Sequence, residues 1–233
     1  MPNYDVSVET RGALRRFSDT FNPTRSSAMR SLSTSLLLCF LAIGLCAMPA
    51  RAQDRPASPR GEVSTLVGGS WDNGGYTGGK WIVIDYGRPI LRGRTGMFGE
   101  GDNYGEAVKS GAPVWRAGAN QSTMLMTETD LMLGSAHLPA GSYTLFIEPD
   151  ADAWTLIISN HKAKPTGSSD MEGIWGAYNY DAGKDVLRAK MTLSEAPFSV
   201  DQLTFSFVNM TQAGGTLAVM WEKELAAIDF MVH

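Results

Sequence analysis

The sequence predicts an all-β fold, an antiparallel β-sandwich with long glycine-rich loops, and three observations support this prediction. Residues 142–148 and 154–158 alternate apolar and polar side chains, as strands do when successive side chains point to opposite faces. Residues 138–141 (LPAG) give a turn signal just before the first of these strands. No stretch of the chain shows a sustained helical period. These patterns leave open whether the topology is that of a jelly roll or of an immunoglobulin domain.

Further strands are predicted on both sides of this meander. They cover residues 62–67, 80–86, 186–193, 202–208, 216–222 and 224–232. The glycine-rich run at 68–79 predicts a hairpin tip or a flexible loop, because glycine weakens a strand interior. Residues 93–111 are predicted to form a loop with at most one helical turn near Glu106, and residues 160–185 a second long irregular region.

The N-terminal part of the chain predicts export. Residues 29–52 place an arginine before an apolar run and end in the small-x-small pattern Ala50-Arg51-Ala52, which is the layout of a secretory signal peptide cleaved after Ala52. The predicted location is therefore periplasmic or extracellular. The apolar run, residues 36–48, is shorter than the roughly 20 residues that span a bilayer, so no permanent membrane span is expected after cleavage.

The rest of the domain organisation follows from this cleavage site. Residues 1–28 are predicted to be a disordered extension, or the result of a mis-called start that belongs at Met29. Residues 53–60 are predicted to be an extended lead-in. Residues 61–233 are then long enough to form a single β-sandwich domain with its own core.

Composition excludes several classes of function. Both cysteines, Cys39 and Cys46, lie in the predicted signal, so the mature chain has no disulfide, thiolate zinc site or cysteine nucleophile. From Gln53 onward, 14 lysines and arginines stand against 21 aspartates and glutamates, a net charge of −7. This charge disfavours a nucleic-acid partner, since a polyanion is repelled by most of the surface.

Motifs for catalysis and cofactors are equally sparse. The chain has no Gly-x-Ser-x-Gly elbow, no phosphate-binding loop and no dinucleotide fingerprint. Its histidines, His137, His161 and His233, share no short spacing of the kind that metal sites use. We therefore predict no catalytic residues, no metal site and no cofactor, with His137 as a solvated turn residue.

The candidate binding residues combine guanidinium, amide, carboxylate and aromatic groups near predicted loops. They are Arg88, Trp115, Arg116, Asn120, Trp175, Tyr178, Asp185 and Arg188. A few placed polar groups over aromatic walls bind sugars and small acids, which makes a small polar or carbohydrate ligand the predicted partner. The alternative is structural: the three arginines pair with Glu148, Asp181 or Asp185 and tie the long loops to the sheets.

Several ordered motifs also resemble a known bacterial family. They are residues 57–60 (ASPR), 86–89 (YGRP), 114–120 (VWRAGAN), 138–143 (LPAGSY) with Leu145-Phe146, and 175–180 (WGAYNY) followed by Asp185 and Arg188. Together they resemble the family called domain of unknown function 2911, over residues 57–223. The resemblance implies an exported protein and no established activity. The segments 68–79 and 93–111 depart from the family pattern, close to Arg88 and Arg116.

Three functions from different classes remain open at this point. The first, which we favour, is a non-catalytic β-sandwich of the cell envelope that binds a small ligand or a glycan. The second is a hydrolase acting on envelope carbohydrate, for which Glu148, Asp181 and Asp185 are the candidate carboxylates. The third is a structural or protein-interaction module whose loop aromatics lie on an exposed patch.

Overall fold

The computed structural model describes residues 56–232, and all of the regular structure reported below lies in that part of the chain. The predicted signal peptide, the extension before it and residues 53–55 of the predicted lead-in lie outside the described residues. None of the helices within 56–232 is long and apolar enough to cross a bilayer.

Within this part of the chain the structure has eleven strands and one short α-helix. The strands are β1 (Arg60–Val67), β2 (Ser70–Asp72), β3 (Gly75–Thr77), β4 (Lys80–Gly87), β5 (Thr123–Thr127), β6 (Leu131–Leu133), β7 (Ala136–Leu138), β8 (Gly141–Glu148), β9 (Ala153–Ser159), β10 (Asp185–Thr211) and β11 (Gly214–Val232). The helix α1 spans Glu106–Lys109, and 3-10 turns span Gly101–Asn103 and Ala182–Lys184.

Nine of these strands form one antiparallel sheet that folds over itself. The order is β1-β4-β5-β8-β9-β10-β11-β6-β7, and β2 and β3 form a separate hairpin. The two long strands make the fold-over possible, because their register shifts between Glu195 and Val200 and again before Thr204. Such irregularities bend a strand so that its two halves serve different layers of a sandwich. The predicted all-β, sandwich-like fold class is confirmed.

One hydrophobic core fills the space between the layers. Leu145 and Ile147 of β8 and Leu156 and Ile158 of β9 face it from one side, as their alternation predicts. Leu203 and Phe205, from the later part of β10, and Leu217 and Val219, from the first part of β11, face it from the other. Met191 from the first part of β10 and Phe230 from the last part of β11 belong to the same core, so both halves of each long strand contribute to it.

A smaller apolar cluster lies on the outer face of β8 and β9. Phe146 and Ile157, which are cross-strand partners, pack there against Val114, Ile174 and Ala177. The last three residues belong to the loops that precede β5 and β10, so these loops cover the outer face of the sheet. This cover explains why β8 and β9 are apolar on both faces.

The structure confirms most of the predicted strands and corrects three details. The predicted pairs at 186–193 with 202–208, and at 216–222 with 224–232, are single long strands that continue through bulges. The sequence pattern does not predict the three strands β5 to β7. His137 lies in β7 rather than in a turn, and its Nε2 is 3.1 Å from the Asp130 carboxylate.

Candidate functional site

A cleft beside the core brings two arginines and two tryptophans together. Its volume is about 250 Å³. The lining residues come from the lead-in to β1, the loops after β4, helix α1, the loop before β5, and β11. They are Ser58, Pro89, Arg94, Met97, Ala107, Val108, Ser110, Trp115, Arg116, Gly118, Ala119 and Trp221. This set contains two guanidinium groups and no carboxylate, in a chain that is acidic beyond its predicted signal. The carboxylate of Glu222, the residue after Trp221, is held by the backbone N–H groups of Gly96 and Met97.

The loop that carries Trp115 and Arg116 is held by hydrogen bonds at both ends. Trp115 and Ile147 form a bridge in which each N–H donates to the other's carbonyl at 2.8 Å. Further along, the Thr123 hydroxyl donates to the Ala117 carbonyl at 3.1 Å, and the Ala119 N–H donates to the Gly87 carbonyl at 3.2 Å. The loop backbone is therefore fixed to β8 on one side and to β4 on the other.

Trp115 belongs to an aromatic cluster at the floor of the cleft. Its ring lies 6.2 Å from that of Trp221, nearly parallel to it at 14°. Phe98 and Trp154 meet Trp115 edge-on, each with ring centroids 5.7 Å away. Such pairs stabilise a core beyond the area they bury. Trp115 is only 1% exposed, so it can serve a ligand as a supporting wall and not as a free platform.

Arg116 is half-buried, and it contacts an aromatic ring instead of a carboxylate. Its guanidinium carbon lies 5.8 Å from the centre of the Tyr178 ring, a cation–π contact with a side chain that is 46% exposed. Arg94, the second arginine of the cleft, donates to the carbonyls of Ile90 and Leu91 at 2.9 and 3.0 Å. Within residues 56–232, neither arginine forms an ion pair.

Asp185 and Arg188 come together in a different place, on the outer face of the sheet. Arg188 binds Asp185 at 3.0 Å and Glu148 at 2.5 Å, and it donates to the Tyr180 hydroxyl at 3.1 Å. The Tyr180 hydroxyl in turn donates to Asp185 at 2.5 Å. Burial, followed by this hydrogen bond to Asp185, raises the pKa of Tyr180 above its ordinary value. The arrangement matches the tethering alternative, because it fastens the loop before β10 to β8.

The remaining predicted site residues lie in separate contacts. The Arg88 side chain packs over Gly61 of β1, and within the described chain its Nε has no hydrogen-bond partner. The Asn120 side chain donates to the Ser58 carbonyl at 3.4 Å, near the mouth of the cleft. Trp175 is half-buried beside Gly167. Of the predicted site residues, Trp115 and Arg116 line the cleft. Tyr178 and Asn120 contact residues of the lining. The other four lie outside the lining: Arg88, Trp175, Asp185 and Arg188.

Two of the four principal residues of the cleft, Arg94 and Trp221, are not predicted from the sequence. Arg94 lies in a glycine-rich loop with no periodic pattern, and Trp221 lies within the predicted strand 216–222. No sequence pattern marks Trp221 as a site residue. Its place in the cleft depends on the structure around the next residue, Glu222, which has a φ of 57° and lies where the register of β11 against β10 is irregular. The Glu222 carboxylate accepts a hydrogen bond from the N–H of Met97 at 2.8 Å.

The carboxylates proposed for a hydrolase do not face each other across an open cleft. Glu148 and Asp185 both bind the Arg188 guanidinium. Asp181 accepts a hydrogen bond from the Gly183 N–H at 2.9 Å and caps the 3-10 turn at Ala182–Lys184. These contacts give all three carboxylates a structural partner.

A different carboxyl, Glu224, has a shifted pKa. Burial raises the pKa of Glu224, and the charges of Glu222 and Glu195 raise it further, while a hydrogen bond from the Tyr104 hydroxyl opposes the shift. Glu195 is its direct cross-strand partner. Burial likewise raises the pKa of Tyr104 to about 12. Folding therefore favours the protonated form of Glu224.

We expect Glu224→Gln to stabilise the protein at neutral pH. A carboxyl whose pKa is raised by folding stabilises the fold fully below its unfolded pKa, and this contribution is lost as pH rises through the folded value. Glutamine keeps an acceptor for Tyr104 and carries no charge. The melting temperature of the variant should exceed that of the wild type at about pH 7, and the two should converge below about pH 4.

The matched control for this prediction is Glu100→Gln. Glu100 is exposed in the loop before α1, so removing its charge should change the melting temperature little at either pH. A Glu224→Gln variant that is less stable than the wild type at neutral pH would contradict the prediction.

Fold and site together define the class: an antiparallel, sandwich-like β-protein with an arginine-lined cleft over an indole floor. A family model described as "Protein of unknown function (DUF2911)" matches residues 73–230, more than half of the chain. The chain therefore belongs to this family, and the suspected resemblance is confirmed, although the motif at 57–60 lies before the matched residues. The search of curated proteins returned no match, and the search of solved structures returned none either.

Proposed function

We propose that this protein is an exported β-sandwich that binds a small anionic ligand, such as an acidic sugar, without acting on it. The observation that carries this proposal is the cleft in which Arg94 and Arg116 meet Trp115 and Trp221 with no carboxylate in the lining. Small-ligand sites generally combine apolar or aromatic walls with a few placed polar groups.

Arg116 is the residue best placed to bind the charged group of a ligand. Its guanidinium contacts the Tyr178 ring, and within residues 56–232 it has no carboxylate partner. A ligand carboxylate or phosphate would therefore meet an uncompensated cation, and it could form paired, charge-assisted hydrogen bonds. Arg94 already donates to two backbone carbonyls, so it offers a ligand positive charge but few free N–H donors.

The cleft also sets the size and shape of the ligand. A volume of about 250 Å³ is just below the usual range for small-molecule sites, which restricts the ligand to about the size of a monosaccharide. Trp221 is 4% exposed and supports the cleft from beneath, while the half-buried Met97 gives the lining an apolar edge for the face of a ligand ring. A uronic acid combines such a ring with a carboxylate.

Export is supported by residues 29–52, which have the layout of a cleaved secretory signal. N-terminal sequencing of the mature protein from the envelope or medium tests this part of the proposal. A start at Gln53 is expected. A mature chain that still carries the apolar run 36–48 would contradict cleavage after Ala52.

Isothermal titration with D-galacturonate and D-galactose tests ligand binding. We expect D-galacturonate to bind more tightly than D-galactose, with an affinity that falls as salt is added, because the carboxylate is the added feature. Replacing Arg116 by glutamine should weaken D-galacturonate binding by roughly tenfold or more, the loss expected for one charge-assisted interaction.

The control for this titration is Lys190→Gln, which removes one positive charge from an exposed position on β10 outside the cleft. The affinity of this variant for D-galacturonate should equal that of the wild type. Equal binding of the two sugars, or an Arg116→Gln variant that binds D-galacturonate as well as the wild type does, would overturn the proposed function.

A further inference from the structure

A second cavity, of about 350 Å³, lies next to the arginine–indole cleft. Its lining comes from the start of β1, the residues at the start of β5, and the loop after β9. The residues are Arg60, Gln121, Ser122, Met124, Ala163, Lys164 and Pro165. Like the cleft, this cavity has two basic side chains and no acidic one in its lining.

The two basic residues of this cavity differ in whether a carboxylate neutralises their positive charge. Arg60 pairs with the Asp85 carboxylate at 2.7 Å, so its charge is largely compensated. The Lys164 ammonium contacts only the Ser168 carbonyl, at 3.4 Å, and forms no ion pair within residues 56–232. Lys164 is therefore the cation available to a ligand.

The two cavities share their dividing wall. Ser58 lines the cleft and Arg60 the second cavity, while Ala119 lines the cleft and Gln121 the second cavity. Residues two apart in an extended chain are at most about 7 Å apart. The wall between the cavities is therefore formed by residues 58–60 and 119–121. The Asn120 side chain joins these two segments by donating to the Ser58 carbonyl at 3.4 Å.

This wall leaves polar groups facing solvent between the cavities. Asn120 is exposed, and its backbone has a φ of 64°, a left-handed conformation that asparagine tolerates better than most residues. The Gln121 side chain donates to the Pro165 carbonyl at 3.2 Å and fixes the far side of the second cavity. A ligand that crosses the wall would meet amide groups suited to hydroxyls.

We infer that the two cavities are adjacent subsites for one elongated ligand, an oligosaccharide that carries repeated carboxylates. The inference rests on the proposed function, because the first acidic unit occupies the cleft beside Arg116. The next acidic unit passes over Asn120 and reaches Lys164 in the second cavity. Two uncompensated cations on either side of one wall favour a ligand with repeated negative charge over a single small anion.

Titration with D-galacturonate, digalacturonate and trigalacturonate tests this inference. Wild-type affinity should rise at least about tenfold from the monomer to the trimer, since the second contact is made intramolecularly. Lys164→Gln should remove most of that gain and leave D-galacturonate affinity unchanged. Lys190→Gln, an equal change of charge on exposed β10, should alter neither.

The outcomes separate this inference from the proposed function. Equal affinity for monomer and trimer, or a trimer affinity unchanged by Lys164→Gln, overturns the extended site. The proposed function is judged instead by the effect of Arg116→Gln on D-galacturonate alone. Both proposals fail if Arg116→Gln leaves D-galacturonate and trigalacturonate binding unaltered.

Discussion

Replacing Trp115 by alanine is expected to lower the free energy of unfolding by about 3–5 kcal/mol, the usual loss for truncating a buried aromatic side chain. Trp115 is 1% exposed and contacts the rings of Phe98, Trp154 and Trp221. Alanine would leave a cavity bounded by these three rings. Because the rings also pack against other residues, they can move only partly into the empty space. Chemical denaturation of both proteins measures the loss directly.

The control for Trp115→Ala is the same substitution at Trp71. Trp71 is 78% exposed and touches only Tyr76 among the aromatic residues of the described chain, so its loss should cost less than about 0.5 kcal/mol. Trp115→Phe should recover part of the stability by refilling some of the space. If Trp115→Ala unfolds at the same denaturant concentration as Trp71→Ala, the aromatic floor of the cleft is not the support described above.

Replacing Gly87 by alanine is the second change with a large expected effect. A Cβ at this position would lie 1.9 Å from the Ala119 carbonyl oxygen and 2.8 Å from its carbonyl carbon. These are backbone atoms, and the hydrogen bond from the Ala119 N–H to the Gly87 carbonyl prevents the loop from moving away cheaply. We expect a loss of about 1–3 kcal/mol in stability, as for other overpacked sites.

Gly87→Ala should also weaken D-galacturonate binding, because the displaced loop includes Gly118 and Ala119 of the cleft lining. Thermal unfolding and titration of the same samples measure the two effects. Gly167→Ala is the matched control, since a Cβ there would meet only the Trp175 ring, at an ordinary 3.6 Å. A Gly87→Ala protein as stable as this control would show that β4 and the loop before β5 are not in close contact.

The predictability of the fold depended on how regular each strand is. β8 and β9 were predictable because both are short runs rich in aromatic and β-branched residues, bounded by a turn signal before β8 and an acidic loop before β9. β5 (TMLMT) was missed because methionine is a weak indicator of strands, and β6 and β7 because three residues are too few to show a period. The continuity of β10 was hidden by its irregular stretch at 196–203, where the pattern breaks although the strand continues.

The site was predictable only where its residues are neighbours in sequence. Trp115 and Arg116 are adjacent, stand in a loop, and were found for that reason. Arg94 and Trp221 reach the same cleft from distant segments. Their proximity depends on the bridge between Ile90 and Gln202 and on the hydrogen bond from the Met97 N–H to Glu222. The pairing of Arg188 with Glu148 follows from the register of β8, β9 and β10, in which Phe146, Ile157 and Arg188 lie side by side. A single sequence does not reveal such register.

The most direct test of the cleft is a nuclear magnetic resonance titration of the isotope-labelled chain from Gln53 with D-galacturonate. The proposed function predicts saturable shifts of the Trp221 indole N–H and of the Gly118 and Ala119 amides, with the amide of Lys190, on exposed β10 outside the cleft, unmoved. The proposed function would be contradicted if D-galacturonate shifted only signals from outside the cleft, or if a saturating concentration shifted no signal at all.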